Sequence, residues 1–213
     1  MRVYLDNAAT SWPKPESVYE AVDDYQRNLG ASAGRGAYRE AVAAQQIVDA
    51  ARRGCAAVLG VADPTRVVLA SNGTDALNLA IHGVLRQHDH VVATVCEHNS
   101  VIRPLADAQQ RLDVATTFVG CDSRGGVDPD DVRQAIRPNT RLVIVSHASN
   151  VTGAVQPLAD ISRHVHDRGA LLLVDAAQTL GHVPVDVDAF QADLVAASGH
   201  KGLLGPLGTG ALY

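Results

Sequence analysis

The sequence predicts an α/β protein in which a mainly parallel sheet of seven strands lies between two layers of helices. Short apolar runs, each long enough for one buried strand, recur along the chain, and amphipathic segments of helical period separate them. Apolar runs without alternation are typical of parallel strands that are covered on both faces. The chain has 213 residues, of which 46% are hydrophobic and 19% are charged, so it can build the core of one large α/β domain.

The opening residues differ from the rest, because they combine a short extended piece, a polar turn and one helix. Pro13 and Pro15 disfavour helix at the residues before them and hold this part extended. A helix is predicted over 16–29, and a glycine-rich loop follows it. We therefore expect residues 1–30 to form an N-terminal segment and helix, ahead of a large domain over 31–213.

The strands of the large domain are predicted from the apolar runs, and the first of them is expected to be buried like the others. In chain order the predicted strands cover 66–71, 90–95, 113–119, 141–149, 170–178, 193–198 and 208–213. The predicted helices cover 38–59, 75–87, a segment that ends at 110, 129–136 and 158–168. The order of the strands in the sheet does not follow from periodicity, because periodicity is a local property.

Charge and cysteine content exclude several classes of protein. The formal net charge is −5 and no block of lysine and arginine occurs, which argues against nucleic acid as a partner. Cys55, Cys96 and Cys121 are far apart, which argues against a disulfide framework and suits a reducing compartment. No signal peptide follows Met1 and no apolar run reaches the length of a membrane span. We expect a soluble, cytoplasmic protein that does not bind membranes.

Residues that follow the first predicted strand have the composition of an anion site. Gly73 allows a ligand to approach the backbone closely, and the helix that begins here directs its N–H groups and its dipole at the ligand. A phosphate group is therefore a candidate ligand. A simple helix cap by Thr74 is the alternative interpretation of the same residues.

Polar side chains also follow four of the later strands, and ligands of parallel sheets bind at this edge. These side chains are His98, Asn150, Asp175 with Gln178, and Ser198 with His200 and Lys201. Taken one at a time, His98 also fits an ordinary loop histidine and Asn150 an ordinary turn. Asp175 directly follows an apolar run, where a carboxylate is costly to bury without a cationic partner.

The combined set matches the needs of pyridoxal phosphate. This cofactor takes a lysine for covalent attachment, a carboxylate on its pyridine nitrogen and a cup for its phosphate. Lys201 would attach the cofactor and, once displaced, act as general base and acid. No metal site is predicted. A nucleotide-binding protein of the Rossmann type is disfavoured, because no GxGxxG follows the first strand and no P-loop motif occurs.

Six motifs together resemble a known enzyme family. They occur in the family's order and read YLDNAAT, SNGTDALN, EHNSV, SNVTGAVQP, VDAAQTLGHVPVD and SGHKGLLGPLGTG. With them the chain resembles a class V aminotransferase of the cysteine desulfurase group, a fold type I pyridoxal phosphate enzyme. The resemblance implies the large domain of that fold and a homodimer with its active site near the subunit interface.

The resemblance also implies a role for each candidate residue. Lys201 would form the Schiff base, Asp175 would pair with the pyridine nitrogen, and His98 would stack on the ring, so these three form the catalytic set. Gln178 would reach the phenolic oxygen, and Asn150 would lie beside cofactor and substrate. The phosphate would be bound by Gly73, Thr74, Ser198 and His200. The substrate pocket would include Asn7, Ala8 and Ala9.

The chain departs from the family's pattern in length. Family members continue with a small C-terminal domain, which carries the arginine for the substrate carboxylate and, in desulfurases, the nucleophilic cysteine. We therefore expect those residues beyond Tyr213, and the chain is expected to be truncated after the large domain, with the small domain absent. None of the three cysteines is assigned a catalytic role, since a cysteine at a strand end is usually an inert core residue.

The resemblance favours cleavage of the carbon–sulfur bond of L-cysteine to give alanine and enzyme-bound sulfur, with a sulfur-acceptor protein as a further partner. Within the family, a selenocysteine lyase, an epimerase or an aminotransferase-like enzyme would use the same cofactor residues. A third alternative is a cofactor-binding fragment that is inactive alone and acts as a partner or scaffold.

Overall fold

The computed structural model describes residues 3–213, and a sheet of seven strands forms its centre. The strands are β1 (Val68–Ala70), β2 (His90–Thr94), β3 (Ala115–Val119), β4 (Thr140–Ser146), β5 (Leu171–Asp175), β6 (Leu194–Ser198) and β7 (Gly210–Leu212). Their order across the sheet is β1-β7-β6-β5-β4-β2-β3. The mainly parallel sheet predicted from the sequence is confirmed: β2 pairs in parallel with β3 and β4, and β4, β5 and β6 are parallel neighbours.

The last strand lies inside the sheet and runs against its neighbours. β7 is antiparallel to both β6 and β1, so it joins the first strand to the parallel part. β1 is therefore an edge strand with one partner only. The prediction that the first strand is buried is wrong, because Val68 is 46% and Leu69 is 36% exposed. The helix Gly73–Val84 contacts this strand, but Val68 and Leu69 remain accessible at the edge of the sheet.

Helices cover both faces of the sheet. They are α1 (Glu16–Asp24), α2 (Arg39–Val58), α3 (Gly73–Val84), α4 (Asn99–Leu112), α5 (Pro129–Ala135), α6 (Leu158–His166) and α7 (Val187–Phe190). The predicted helices are confirmed, with ends that differ by a few residues, and the segment 16–29 consists of α1 followed by a π-helical turn, Tyr25–Leu29. The short α7 was not predicted. No helix among residues 3–213 combines the length and apolar character needed to cross a membrane.

Alternation along the buried strands divides the core between the two faces. In β4, Val143 and Val145 pack on the face covered by α5 and α6, while Leu142 and Ile144 pack on the face covered by α3 and α4. All four side chains are fully buried. Each such side chain contributes about 1.5–3 kcal/mol when it leaves water. The result is the predicted three-layer α/β/α arrangement.

Candidate active site

A cavity of about 310 Å³ lies at the carboxyl ends of the central strands, and we call it the strand-end cavity. This volume falls within the usual range for small-molecule sites. The predicted site residues in its wall are Ala8, Ala9, Gly73, Thr74, His98, Asn150, Asp175, Gln178, Ser198, His200 and Lys201. Asn7 is outside the wall, where its Oδ1 accepts a hydrogen bond of 3.2 Å from the Trp12 amide.

The first turn of α3 forms one side of the cavity. Asn72 caps this helix, since its Oδ1 accepts a 2.8 Å hydrogen bond from the Asp75 amide. The alternative of a cap by Thr74 is therefore wrong, and the Thr74 hydroxyl instead lies 2.7 Å from the Ser100 hydroxyl. Gly73 packs so tightly that a Cβ here would lie 2.8 Å from Ser198 Oγ. Glycine at this position keeps the helix end close to the loop after β6.

His98 is held by the start of α4. Its Nδ1 accepts a 3.1 Å hydrogen bond from the Ser100 amide and lies 2.8 Å from the Ser100 hydroxyl. In the neutral ring the proton therefore sits on Nε2, because Nδ1 acts as an acceptor. Since Ser100 also contacts Thr74, a short polar chain links the imidazole to the N-terminus of α3.

Asp175 and Lys201 provide the opposite charges of the cavity. Asp175 ends β5 and is buried, and its Oδ1 accepts a 2.9 Å hydrogen bond from the Ala177 amide. Burial raises the pKa of Asp175, against the effects of that amide and of the positive charges of Lys201 and His98. Burial lowers the pKa of the half-buried Lys201, and the Asp175 charge opposes this. The lysine is thus biased towards its neutral, nucleophilic form.

His200 contributes a polar atom that has no protein partner among residues 3–213. Its Nδ1 is buried and makes no hydrogen bond. The pKa of His200 is lowered by burial first and then by the positive charges of Lys201 and Lys14. A buried polar atom without a partner costs about 1–3 kcal/mol. Because Nδ1 is inaccessible, a ligand in the cavity would reach it only after the imidazole ring turns.

The N-terminal segment closes over the loop that carries Lys201, and the sequence did not predict this. The carbonyl oxygen of His200 accepts hydrogen bonds from Thr10 Oγ1 at 3.0 Å, Ser11 N at 3.1 Å and Lys14 Nζ at 2.6 Å. Ser11 Oγ also donates to the carbonyl oxygen of Lys201 at 2.9 Å. The backbone on both sides of the Lys201 side chain is therefore fixed by residues from the opposite end of the chain.

Another contact attaches the same segment to the cavity wall. Gln178 Nε2 donates a 3.0 Å hydrogen bond to the carbonyl oxygen of Ala8. This amide group bridges the loop after β5 and the opening motif.

Glu97 is a second buried acid that sequence reasoning left without a role. Part of the residue is accessible, but its carboxyl group accepts hydrogen bonds from Thr94 Oγ1 at 2.7 Å, Ser146 N at 3.0 Å and Ser146 Oγ at 2.8 Å. Burial raises the pKa of Glu97 to about 7, and the Asp175 charge adds to this. Glu97 directly precedes His98 at a strand end, and this position could have marked it as a site residue in the sequence. Ser146 lines the cavity and has the same signal at the end of β4.

The residues present fit pyridoxal phosphate. Gly73, the hydroxyl residues Thr74 and Ser198, and His200 line the cavity at a helix N-terminus, which suits a phosphate group. Lys201 and Asp175 line the same cavity and supply the amine and the carboxylate that the cofactor takes.

Comparison with known proteins shows what the chain is similar to. The family model described as Aminotransferase class-V matches residues 3–213. A probable cysteine desulfurase of Methanothermobacter thermautotrophicus is 42% identical over 212 residues, which are 99% of this chain and 52% of that protein. The cysteine desulfurase IscS of Dictyoglomus turgidum is 33% identical over 99% of this chain and 53% of its own length.

Solved structures show the same similarity. The apo structure of a cysteine desulfurase from Thermococcus onnurineus NA1 has a TM-score of 0.92 at 34% identity, over 99% of this chain and 53% of that one. SspA in complex with cysteine has a TM-score of 0.92 at 30% identity, over 100% of this chain and 61% of that one. The chain spans about half the length of the curated relatives that it matches.

Proposed function

Because the chain belongs to the aminotransferase class V family, we propose that its strand-end cavity is the pyridoxal phosphate site of a cysteine desulfurase-like enzyme. The observation that carries the proposal is the pairing of Lys201 with Asp175 in one cavity, with a half-buried lysine of lowered pKa. The names of the relatives support the choice of reaction, and a structure of SspA with cysteine supports the choice of substrate.

Each residue of the cavity has a task in this proposal. Gly73, Thr74, Ser198 and His200 would bind the phosphate, and the His98 ring would stack on the pyridine ring. When bound, the cofactor supplies an aldehyde for covalent attachment and a protonated ring that accepts an electron pair from a substrate carbon. The Asp175 carboxylate would hold the proton on the ring nitrogen, and the Gln178 amide would orient the ring through its phenolic oxygen.

Lys201 would have two tasks. Its neutral amine is the nucleophile for covalent attachment, and burial favours that form. Once substrate has taken its place, Nζ is free to take up and return a proton at the substrate carbon. The hydrogen bonds from Thr10, Ser11 and Lys14 fix the backbone that carries this side chain, so Nζ moves by rotation of its own side chain.

Further parts of the proposal rest on the family resemblance. They are an L-cysteine substrate converted to alanine and enzyme-bound sulfur, a homodimer, a sulfur-acceptor protein and a cytoplasmic location. The division into residues 1–30 and a cofactor-binding domain over 31–213 is likewise a proposal.

Covalent attachment provides a sharp test, because Lys14 and Lys201 are the only lysines of the sequence. Purified protein mixed with pyridoxal phosphate should gain a visible absorbance band, and borohydride should abolish the band and fix the cofactor to the peptide that contains Lys201. Lys201→Ala should lose both the band and the label. Lys14→Arg, which keeps a cationic donor near His200, should retain both.

The same experiment can overturn the proposal. Label on Lys14 in the wild-type protein, or an unchanged reducible band in Lys201→Ala, would remove Lys201 from its role. Release of alanine from cysteine, with sulfide when a thiol reductant such as dithiothreitol is present, separates a desulfurase from the other family activities. Covalent binding without such release would support the alternative of a cofactor-binding part that is inactive alone.

A further inference from the structure

Cys96 and Cys121 occupy equivalent positions at the ends of two paired strands. β2 and β3 are parallel, and their last register pair is Thr94 with Val119. The Val95 amide continues the ladder with a 2.9 Å hydrogen bond to the Val119 carbonyl oxygen. Cys96 lies in the turn after β2 and Cys121 in the loop after β3, each two residues beyond its member of the Thr94–Val119 pair, so the two segments start side by side.

The two cysteine side chains also lie near each other. Cys96 Sγ donates a weak hydrogen bond of 3.9 Å to the carbonyl oxygen of Gly125, so the Cys96 side chain faces the loop after β3 that carries Cys121. The Cys121 thiol is near enough to add to the raised pKa of Cys96, and both cysteines are free. Neighbouring strands lie about 4.7–4.9 Å apart, whereas a disulfide spans Cα atoms about 4.4–6.8 Å apart. The two segments therefore leave the paired strand ends at a separation that a disulfide can span.

We propose that Cys96 and Cys121 form a dithiol–disulfide site that reacts with low-molecular-weight disulfides. The thiolate of one cysteine attacks a sulfur of the small disulfide, which forms a mixed disulfide and releases one thiol. The second cysteine then loses its proton and attacks the first cysteine's sulfur, which closes the Cys96–Cys121 bond and releases the second thiol. Two protein thiols are oxidised, and the small disulfide is reduced to two thiols that carry both protons.

Exposure assigns the order of the two cysteines. Cys121 is exposed and meets the small disulfide first, while Cys96 is half-buried. Burial, the Cys121 thiol and the charges of Glu97 and Asp122 raise the pKa of Cys96 to about 11. The same high pKa keeps Cys96 mostly protonated near neutral pH, so the closing attack is expected to be slow and to speed up as the pH rises. A thiol of high pKa is also a poor leaving group, so a bond to Cys96 would be slow to reopen once formed.

Cys96 is connected to the strand-end cavity through the residues that follow it. The Cys96 amide donates a 3.2 Å hydrogen bond to Thr94 Oγ1, which itself donates to Glu97. Cys96, Glu97 and His98 are consecutive, so a bond to Cys121 would fasten this turn to the loop after β3. The site goes beyond the proposed function and would exist in the protein with or without the cofactor reaction.

Thiol counting on the purified 213-residue chain tests the proposal. Oxidised glutathione is added, excess is removed, and remaining thiols are alkylated and counted by intact mass. The labelled thiols should fall from three to one, without retained glutathione, and a non-reducing peptide map should join Cys96 to Cys121. Dithiothreitol should restore all three. Cys55→Ser is the matched control and should form the same bond.

Single variants separate this outcome from others. Cys96→Ser should keep one glutathione on Cys121, because the second attack is missing. A wild-type protein that retains glutathione on Cys121 while Cys96 stays alkylatable would overturn the proposal. So would a map in which Cys55 or a second molecule supplies the partner sulfur, or a Cys121 that does not react.

Discussion

Replacing Glu97 with glutamine should change how stability depends on pH. Glutamine can keep the contacts of the acid, because its Oε1 can accept from Thr94 and Ser146 N while its Nε2 donates to Ser146 Oγ. The variant therefore imitates the protonated acid and removes only the charge. The difference between the two proteins isolates the cost of ionising Glu97 in place.

The size of the effect follows from the pKa of Glu97, which burial raises from 4.5 to about 7. Below pH 4.5 the acid is protonated in both folded and unfolded chains and adds no pH dependence. Between 4.5 and about 7 the folded protein binds more protons than the unfolded chain, so stability falls as the pH rises. The whole rise corresponds to at most about 3 kcal/mol of unfolding free energy.

Urea unfolding at a series of pH values from 4.5 to 8 measures this difference. The wild type should lose stability relative to Glu97→Gln across that window, by up to about 3 kcal/mol. Glu20→Gln, at an exposed glutamate of α1, is the control and should show no such trend. The reasoning would be refuted if the difference in unfolding free energy between the two proteins did not vary with pH. It would also be refuted if the wild type became more stable relative to the variant as the pH rises.

Two further predictions concern the loop around Lys201 and use the same urea assay. Gly202→Ala should cost about 1–3 kcal/mol, because its Cβ would lie 2.3 Å from the Leu180 carbonyl oxygen and backbone cannot yield easily. Gly54→Ala, inside α2 with no atom within 4 Å of the new Cβ, should instead add about 0.5–1 kcal/mol; equal effects at both glycines would contradict the packing argument. Ser11→Ala should cost about 1 kcal/mol through the lost hydroxyl bond to the His200 carbonyl, and an unchanged midpoint would show that the remaining donors suffice.

The strands could be predicted from the sequence because a strand that is buried on both faces has apolar residues at nearly every position. Their order could not, because the placement of β7 between β1 and β6 depends on pairings between distant residues. The same non-local fact explains the error at the first strand. Its run Val67 to Ala70 is as apolar as the others, and only its position at the edge exposes Val68 and Leu69.

Much of the strand-end cavity could be predicted from one geometric rule, that parallel strands bring their carboxyl ends to one edge. The rule grouped His98, Asp175 and Lys201 from three separate strands, and all three line the cavity. It could not find the contacts of Ser11 with the backbone of His200 and Lys201. Those hydrogen bonds join residues from opposite ends of the chain. No local sequence pattern indicates that Ser11 will bind the carbonyl groups of the loop after β6.

The two buried acids of the site, Glu97 and Asp175, have different partners. Lys201 and His98 place positive charge near Asp175 and act to lower its pKa, whereas the partners of Glu97 are neutral hydroxyl and amide groups. Burial raises the pKa of both acids, and nearby positive charges oppose that rise at Asp175. Lys201 and His98 thus favour the charged form of Asp175, while Glu97 joins the ends of β2 and β4 through Ser146. Glu97→Gln is for this reason expected to leave the covalent attachment at Lys201 intact while it flattens the pH dependence of stability.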